Sequence, residues 1–250
     1  MVVEPLTLFR KSMVVERGIA APARPPHCRG LDEGDTHTKG PLFPLPGPRL
    51  GREIADPRAL TPQEFDSSMS SGLVVDTRPI LEYQQSHIPG SLSIAFRLSF
   101  ATWLGWLVEI GTPLLFVVGD GLLERVIEES LLVGHENFAG WLTGGMEAWE
   151  RTGLPTRETR SIGPDEAKRL LQNGALPIDV REPSEFETGH LDQAMNLPLG
   201  RLANSCAVIP EGAPVIAYCG HGERSTTAIS LLEKSGVEAW NLDGGYDAWQ

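Results

Sequence analysis

Seven consecutive residues of this chain carry the side chains best suited to chemistry. They run from Cys219 to Ser225 and read CGHGERS. A cysteine thiolate is a strong nucleophile, and Arg224 adds a forked, permanently charged donor group close to it. Gly220 and Gly222 allow backbone angles that other residues resist, so the loop can curl around one point. The pattern predicts that Cys219 is a nucleophile in a cradle suited to a small anion.

The segments on either side of this loop indicate how it is positioned. The apolar run VIAY ends directly before Cys219 and predicts a buried strand, and ERSTTAISLLEKSG, from Glu223, predicts a helix. The unpaired amides of a first helical turn, together with the helix dipole, favour a thiolate over a thiol. A lone cysteine at a strand end is more often a buried core residue. The adjacent glycines and arginine weigh against that simpler interpretation.

The chain contains an internal repeat. The segment VVDTRPILEYQQSHIPGSLSI parallels PIDVREPSEFETGHLDQAMNL, with four identical residues 103 positions apart: Asp76, Arg78, Glu82 and His87 correspond to Asp179, Arg181, Glu185 and His190. Further on, LTGGMEAWERTG parallels LDGGYDAWQ at an offset of 100. Each copy alternates short β-rich runs with helical stretches, and this order predicts a parallel sheet with helices on both faces.

The predicted fold class is therefore α/β, with two tandem domains over residues 49–156 and 157–250. Residues 1–48 are rich in proline and glycine without periodicity, which is typical of a linker or a disordered tail. Their His27, Cys28 and His37 do not match a zinc-binding spacing, so we predict no metal site. Because MVVE occurs at Met1 and again at Met13, either methionine is a possible start.

Composition excludes several classes of partner. The chain has 250 residues, a formal net charge of -12 and 41% hydrophobic residues. This acidity argues against nucleic acid and against anionic membranes, both of which attract a basic surface. It does not exclude a small anion, because a local nest of amides can hold one on an acidic protein. No apolar run approaches the roughly 18 residues of a membrane span.

The cysteines indicate a compartment. There are three, Cys28, Cys206 and Cys219, and an odd, scattered set is no disulfide framework. It fits a reducing environment, and the first residues lack the apolar core of a secretory signal. We therefore predict a cytoplasmic location. Cys206 is either a resolving partner for Cys219 or, more simply, a small core residue.

The cysteine loop resembles that of the rhodanese family of sulfurtransferases, which reads C-x-x-G-x-R followed by Ser or Thr. The segments DVREPSEFETGHLDQAMNLPL and LDGGYDAW resemble the early and closing signatures of that family. The resemblance implies that Cys219 takes a sulfane sulfur from thiosulfate or a low-molecular-weight persulfide. The resulting persulfide would pass its outer sulfur to cyanide or a thiol, without a metal or organic cofactor.

The resemblance also implies roles for single residues. Arg224 would act with Cys219 in catalysis by orienting donor anions. The amides of residues 220–225 would hold the persulfide, while the side chains of His221 and Glu223 would tune donor choice. Asp179 and Arg181 would either support the substrate or form a salt bridge that braces the loop. The implied substrate-binding set is Gly220, His221, Gly222, Glu223, Ser225, Asp179 and Arg181.

Two other functions stay open at this point. One is a persulfide-sensing or scaffold module with little turnover. The other is a phosphatase or arsenate reductase, whose related loops hold one more residue between cysteine and arginine. The six residues from Cys219 to Arg224 form the tighter loop, which favours a sulfane sulfur over a tetrahedral oxyanion.

The first copy differs at the critical loop. No cysteine follows its strand PLLFV, where Val118, Gly119 and Asp120 stand instead. We predict that this copy is catalytically inactive, packs against the second copy and shapes its cleft. Its Arg125 matches Arg224 only loosely, whereas Asp76 and Arg78 are expected to persist as a structural pair.

The aromatic helix FATWLGW, from Phe100, adds a second resemblance. It is similar to the inactive rhodanese-like domain that follows a metallo-β-lactamase-fold domain in bacterial persulfide-handling proteins, which often end in two such domains. The H-x-H-x-D-H metal motif of that partner domain is missing from this chain. The resemblance implies either a fragment of a longer fusion or a metallo-β-lactamase-fold partner encoded separately.

Overall fold

The structure is a computed structural model that describes residues 56–205, 208–210 and 212–250. They form two α/β units, each built on a five-stranded parallel sheet. The predicted fold class is thereby confirmed. The predictions for residues 1–48 and for Cys28 and Cys206 fall outside the described residues.

The first unit follows the predicted alternation of strands and helices. Its strands are β1 (Ala59–Leu60), β2 (Leu73–Asp76), β3 (Leu92–Ser93), β4 (Leu114–Val117) and β5 (Phe138–Leu142). Its helices are α1 (Pro62–Ser68), α2 (Ile80–Gln85), α3 (Phe100–Leu107), α4 (Leu123–Leu132) and α5 (Gly145–Arg151), with a 3₁₀ turn at Met69–Ser71. The sheet order is β1-β5-β4-β2-β3.

The second unit repeats the same plan. Its strands are β6 (Ser161–Ile162), β7 (Leu176–Asp179), β8 (Met195–Asn196), β9 (Val215–Tyr218) and β10 (Ala239–Leu242). Its helices are α6 (Pro164–Gln172), α7 (Pro183–Glu187), α8 (Leu199–Ser205), α9 (Glu223–Lys234) and α10 (Gly245–Trp249). Its sheet order, β6-β10-β9-β7-β8, places β9 at the centre.

Local chemistry accounts for several boundaries of these elements. Thr61 and Glu64 form a reciprocal capping box at the start of α1, in which each side chain accepts a hydrogen bond from the other residue's backbone N–H. Pro164 occupies the first turn of α6, where its missing N–H costs no helical hydrogen bond. Both helices therefore begin at residues whose local chemistry favours a helix start.

Alternation along β9 decides where the cysteine faces. Ile216 and Tyr218 pack in the cluster that includes Ala167 of α6, whereas Ala217 and Cys219 pack with α8 and α9 on the opposite face. Successive residues of a strand point to opposite faces of the sheet, so this register directs the Cys219 side chain toward α9. It also places the side chain at the carboxyl end of the central strand, where parallel sheets bind ligands.

The two units meet along an interdomain seam on α9. Thr226, Ser230 and Glu233 stand at helical spacing and share one face of that helix. Gln84 Nε2 donates to Thr226 Oγ1 over 2.7 Å, and the Ser93 N–H donates to Ser230 Oγ over 3.1 Å. The remaining member, Glu233, has a carboxylate oxygen 3.8 Å from Nε2 of the buried His87.

An apolar contact lies beside this polar face. Trp103 and Leu107 of α3 pack against both the core of the first unit and the core around Cys219. Phe100 and Leu104 are buried on the same helix, while Trp106 is 60% exposed. The aromatic helix α3 therefore faces the core on one side and solvent on the other.

No helix among the described residues is long and apolar enough to cross a membrane. Within the same residues, no group of three or more His, Cys, Asp and Glu side chains is arranged to hold a metal ion.

Candidate active site

The Cys219 side chain lies at the start of the loop that joins β9 to α9. It is only 2% exposed and is a free thiol. Its Sγ accepts a hydrogen bond from the Gly222 N–H at 3.1 Å, and the Ser225 hydroxyl oxygen lies 3.7 Å from it. Gly222 caps α9 with a φ of 96°, a left-handed conformation that favours glycine. The amides of residues 220–225 are expected to donate to the sulfur. Among the described hydrogen bonds, the amide that does so is that of Gly222.

The Ser225 hydroxyl has two acceptors within reach. It lies 2.7 Å from Asn241 Oδ1 and farther from the sulfur. Because a hydroxyl donates one proton at a time, the resting bond goes to Asn241. Both residues are buried, Ser225 at 0% and Asn241 at 1% exposure. When negative charge develops on the sulfur, the Ser225 hydroxyl can donate to it after rotation about its Cβ–Oγ bond alone.

The start of α10 packs directly against the main chain of the cysteine loop. The Tyr246 N–H donates to the Cys219 carbonyl over 2.7 Å, and the Asp247 N–H donates to the Gly220 carbonyl over 3.3 Å. A Cβ on Gly245 would fall inside van der Waals contact with both of those carbonyl oxygens. The glycine of the repeated GG motif thus allows α10 to hold the loop in place.

Arg224 is fixed by a carboxylate of the neighbouring helix. Its Nη1 and Nη2 donate to the two oxygens of Glu185, on α7, over 2.6 and 2.7 Å. These bonds raise the pKa of Arg224, and the nearby sulfur of Cys219 contributes in the same direction. The same bonds are the main reason why the pKa of Glu185 lies below its ordinary value of 4.5. Glu185 therefore aims the guanidinium beside Cys219.

The depressed pKa of Glu185 predicts a pH-dependent contribution to stability. A carboxyl whose pKa is lower in the folded state stabilises that state above its unfolded pKa, and the contribution is lost as the pH falls through the folded pKa. We expect Glu185→Gln to lower the free energy of unfolding at pH 7 by no more than about 1 kcal/mol, since the pair is partly exposed. The difference from wild type should disappear well below pH 4.5. Urea unfolding at both pH values measures this.

The matched control for this prediction is Glu82→Gln. Glu82 is the equivalent carboxylate of the first copy, is exposed, and makes no ion pair with any described residue. It should show no comparable difference at either pH. A Glu185→Gln deficit that persists unchanged in acid would contradict an electrostatic role for this carboxylate.

The side chains of His221 and Glu223, which belong to the same loop, also have partners. His221 Nε2 lies 2.9 Å from Asp247 Oδ2, with both side chains exposed. Glu223 forms an ion pair with Arg97, which belongs to the first unit. The loop is therefore held by contacts with α7, with α10 and with the first unit.

A pocket of about 370 Å³ opens beside the sulfur. Cys219, His221, Glu223 and Arg224 line it from the second unit, whereas Arg97, Ser99 and Trp103 line it from the first. The first copy thus forms part of the wall around Cys219, which agrees with the expectation that it shapes the cleft.

Asp179 and Arg181 are not among the residues that line this pocket. They form a buried ion pair, with Arg181 Nη2 2.6 Å from Asp179 Oδ2. The guanidinium also donates to the Gly189 carbonyl and lies 4.3 Å from the ring centroid of Tyr246. These contacts favour the brace over the substrate role for this pair. The first copy contains the same arrangement in Asp76 and Arg78, as expected.

The corresponding loop of the first copy is one residue longer. Residues 118–122 separate β4 from α4, whereas residues 219–222 separate β9 from α9. Counting from each helix start, Glu124 rather than Arg125 stands where Arg224 does. Arg125 instead lies over the ring of Phe96, with 5.0 Å between Cζ and the ring centroid. The loose match between Arg125 and Arg224 is therefore wrong in position.

Comparison with known proteins gives a consistent result. The family described as Rhodanese-like domain matches residues 61–152 and 163–250. Thiosulfate sulfurtransferase GlpE of Pseudomonas aeruginosa (strain LESB58) is 31% identical over 90 residues, which are 36% of this chain and 82% of that protein. GlpE of Ectopseudomonas mendocina (strain ymp) is 34% identical over 94 residues, 37% and 86% of the two chains.

A third relative is more similar over a comparable length. The Bacillus subtilis (strain 168) protein named uncharacterized protein YqhL is 45% identical over 86 residues, 34% of this chain and 68% of that protein. Each aligned segment has about the length of one copy of the repeat. The two family matches, one on each sheet, together cover more than half of the sequence. The chain therefore belongs to the rhodanese-like family and carries two domains of that family in tandem.

Proposed function

We propose that this protein is a sulfurtransferase in which Cys219 carries a sulfane sulfur as a persulfide. The observation that carries the proposal is the position of the Cys219 sulfur, which borders the pocket while accepting the Gly222 N–H. Family membership supports the same reaction class, because relatives about one domain long are named thiosulfate sulfurtransferases. The donors we propose are thiosulfate and low-molecular-weight persulfides.

The proposed reaction has two half-reactions and a covalent intermediate. The Cys219 thiolate attacks the outer sulfur of thiosulfate, the S–S bond of the donor breaks, and sulfite leaves with that bond's electron pair. The product, Cys219–S–S⁻, then gives its outer sulfur to cyanide or to a thiolate, which restores the Cys219 thiolate. Charge and atoms balance in both steps, and neither requires an external oxidant or a metal.

The residues around the sulfur have distinct tasks in this scheme. The Gly222 N–H stabilises negative charge on sulfur, and the Ser225 hydroxyl can turn from Asn241 to assist it. Arg224, held by Glu185, attracts the anionic part of the donor into the pocket. For the first domain we propose no catalysis, because Val118 follows β4 at the place that Cys219 takes after β9.

A persulfide-sensing module is the second candidate. The 2% exposure of Cys219 favours it, since a buried sulfur meets an acceptor only through the pocket. Such a module would load one sulfur on Cys219 and hold it.

One experiment tests the proposal and separates the two candidates. The reduced protein is incubated with thiosulfate or glutathione persulfide, and intact-protein and peptide mass spectrometry locate the added sulfur. We expect one extra sulfur on the Cys219 peptide, lost within seconds of adding cyanide with release of thiocyanate. Loading without discharge would favour sensing. Absence of loading with every donor would refute both.

A further inference from the structure

Every charged side chain that lines the pocket beside Cys219 already has a partner of opposite sign or a neutralising neighbour. Arg97 pairs with Glu223 across the domain boundary, and Arg224 pairs with Glu185. The third group, His221, lies against the carboxylate of Asp247. The pocket therefore presents two ion-paired arginines rather than two free cations.

This pairing matters for the charge of the donor. The two arginines and the two glutamates that pair with them, Glu223 and Glu185, have a formal sum of zero. The Gly222 N–H and the α9 dipole offer a partial positive charge at the sulfur itself. This partial charge can stabilise a single negative charge on the transferred sulfur. A doubly charged donor such as thiosulfate needs a further cation, or it must separate one of the two arginine–glutamate pairs.

The shape of the pocket points to an organic group. Its volume of about 370 Å³ lies in the range of about 300–1,000 Å³ that is typical of sites for organic ligands. Trp103, half-buried between the two cores, supplies an aromatic wall. A small inorganic ion would leave this wall unused.

We propose that the Arg97–Glu223 pair makes this site selective for organic sulfur donors with a single negative charge over the thiosulfate dianion. Because Arg97 of the first domain is ion-paired with Glu223, its guanidinium does not serve as a second ligand for an anionic donor. The organic group of the donor lies against Trp103. This inference rests on the proposed sulfurtransferase function and specifies its substrate class.

Two donors with a common framework differ by one charge, and the change in their kcat/KM ratio on substitution reports on charge recognition. Methanethiosulfonate has the framework of thiosulfate with a methyl group in place of one charged oxygen. Attack by the Cys219 thiolate on its outer sulfur releases methanesulfinate and leaves the same persulfide. We expect wild-type kcat/KM to be at least ten-fold higher for methanethiosulfonate than for thiosulfate at low ionic strength. Benzenethiosulfonate should be better still, and Trp103→Ala should lower its kcat/KM relative to that of methanethiosulfonate.

Substitution of Glu223 tests the residue directly. Glu223→Gln should raise kcat/KM for thiosulfate about ten-fold relative to that for methanethiosulfonate, because Arg97 is then free to meet the second charge. The control is Glu238→Gln, which removes the same charge from an exposed pair with Arg160 that does not line the pocket. It should leave the donor ratio at the wild-type value.

The outcomes distinguish this inference from the function on which it rests. If both donors load Cys219 but wild type prefers thiosulfate, or if Glu223→Gln leaves the donor ratio unchanged, charge selection by this pair is wrong and the sulfurtransferase function stands. If neither donor loads Cys219, the function itself fails and the inference fails with it.

Discussion

Replacing Cys219 with serine is expected to abolish sulfur transfer. A serine hydroxyl stays protonated near neutral pH and forms no persulfide, so the covalent route is lost entirely. By analogy with the removal of other enzymatic nucleophiles, kcat/KM should fall by roughly four orders of magnitude or more. Release of sulfite from thiosulfate in the presence of cyanide measures the rate. The substitution removes little volume at a buried position, so thermal unfolding should remain close to wild type.

Two control variants make this result specific. Cys206→Ser should keep wild-type turnover if Cys206 does not act as a resolving thiol. The double variant Cys219→Ser with Val118→Cys should stay inactive, because the first-copy loop is longer and has Glu124 where Arg224 would be needed. Appreciable turnover by Cys219→Ser alone would exclude Cys219 as the nucleophile.

Gly245→Ala is expected to have the largest effect on stability. The new methyl group would be forced against the carbonyl oxygens of Cys219 and Gly220, and the residue has a φ of 62°. Left-handed backbone costs a residue with a side chain about 1–2 kcal/mol, and overpacking adds about 1–3 kcal/mol. We expect the free energy of unfolding of the second domain to fall by about 4 kcal/mol. A shift of the loop by about 1 Å would also lower kcat/KM about 100-fold.

The repeat provides a matched control for this substitution. Gly145 is the equivalent residue of the first copy and has a φ of 58°, but a Cβ built on it meets nothing within 4 Å. Gly145→Ala should therefore cost only the backbone strain of about 1–2 kcal/mol, with activity nearly intact. Denaturant unfolding of both variants compares the two sites. Equal costs would show that the approach of α10 to the cysteine loop is unimportant.

The sequence predicts those parts of the site that depend on neighbouring residues along the chain. An apolar run that ends at Cys219, followed by glycines and a helix pattern, defines a strand, a loop and a helix, and the structure contains all three. The repeat adds the sheet plan, because two copies of one alternating pattern fold alike. The buried Asp179–Arg181 pair is also local, since its members stand two positions apart.

Contacts between distant segments are the part that the sequence does not predict. Glu185 meets Arg224 across 39 positions, and Arg97 comes from the other copy. The only sequence signal for Glu185 is that it recurs as Glu82, which does not name a partner. Asn241 carries a stronger signal, because an amide inside the strand pattern AWNL requires a polar neighbour once buried. Trp103 belongs to a helix that was predicted, but its position on the pocket wall depends on how the two domains pack.

The seam between the domains also links binding to domain arrangement. Thr226, Ser230 and Glu233 end in oxygen atoms, which water can satisfy if the two halves move apart, so this face alone opposes separation weakly. The pocket has walls from both halves, through Arg97 on one side and Arg224 on the other. A molecule that touches both walls binds only the joined form and stabilises it by its own binding free energy. Ligand binding in the pocket and association of the two domains are then thermodynamically coupled, and each favours the other by the same free energy.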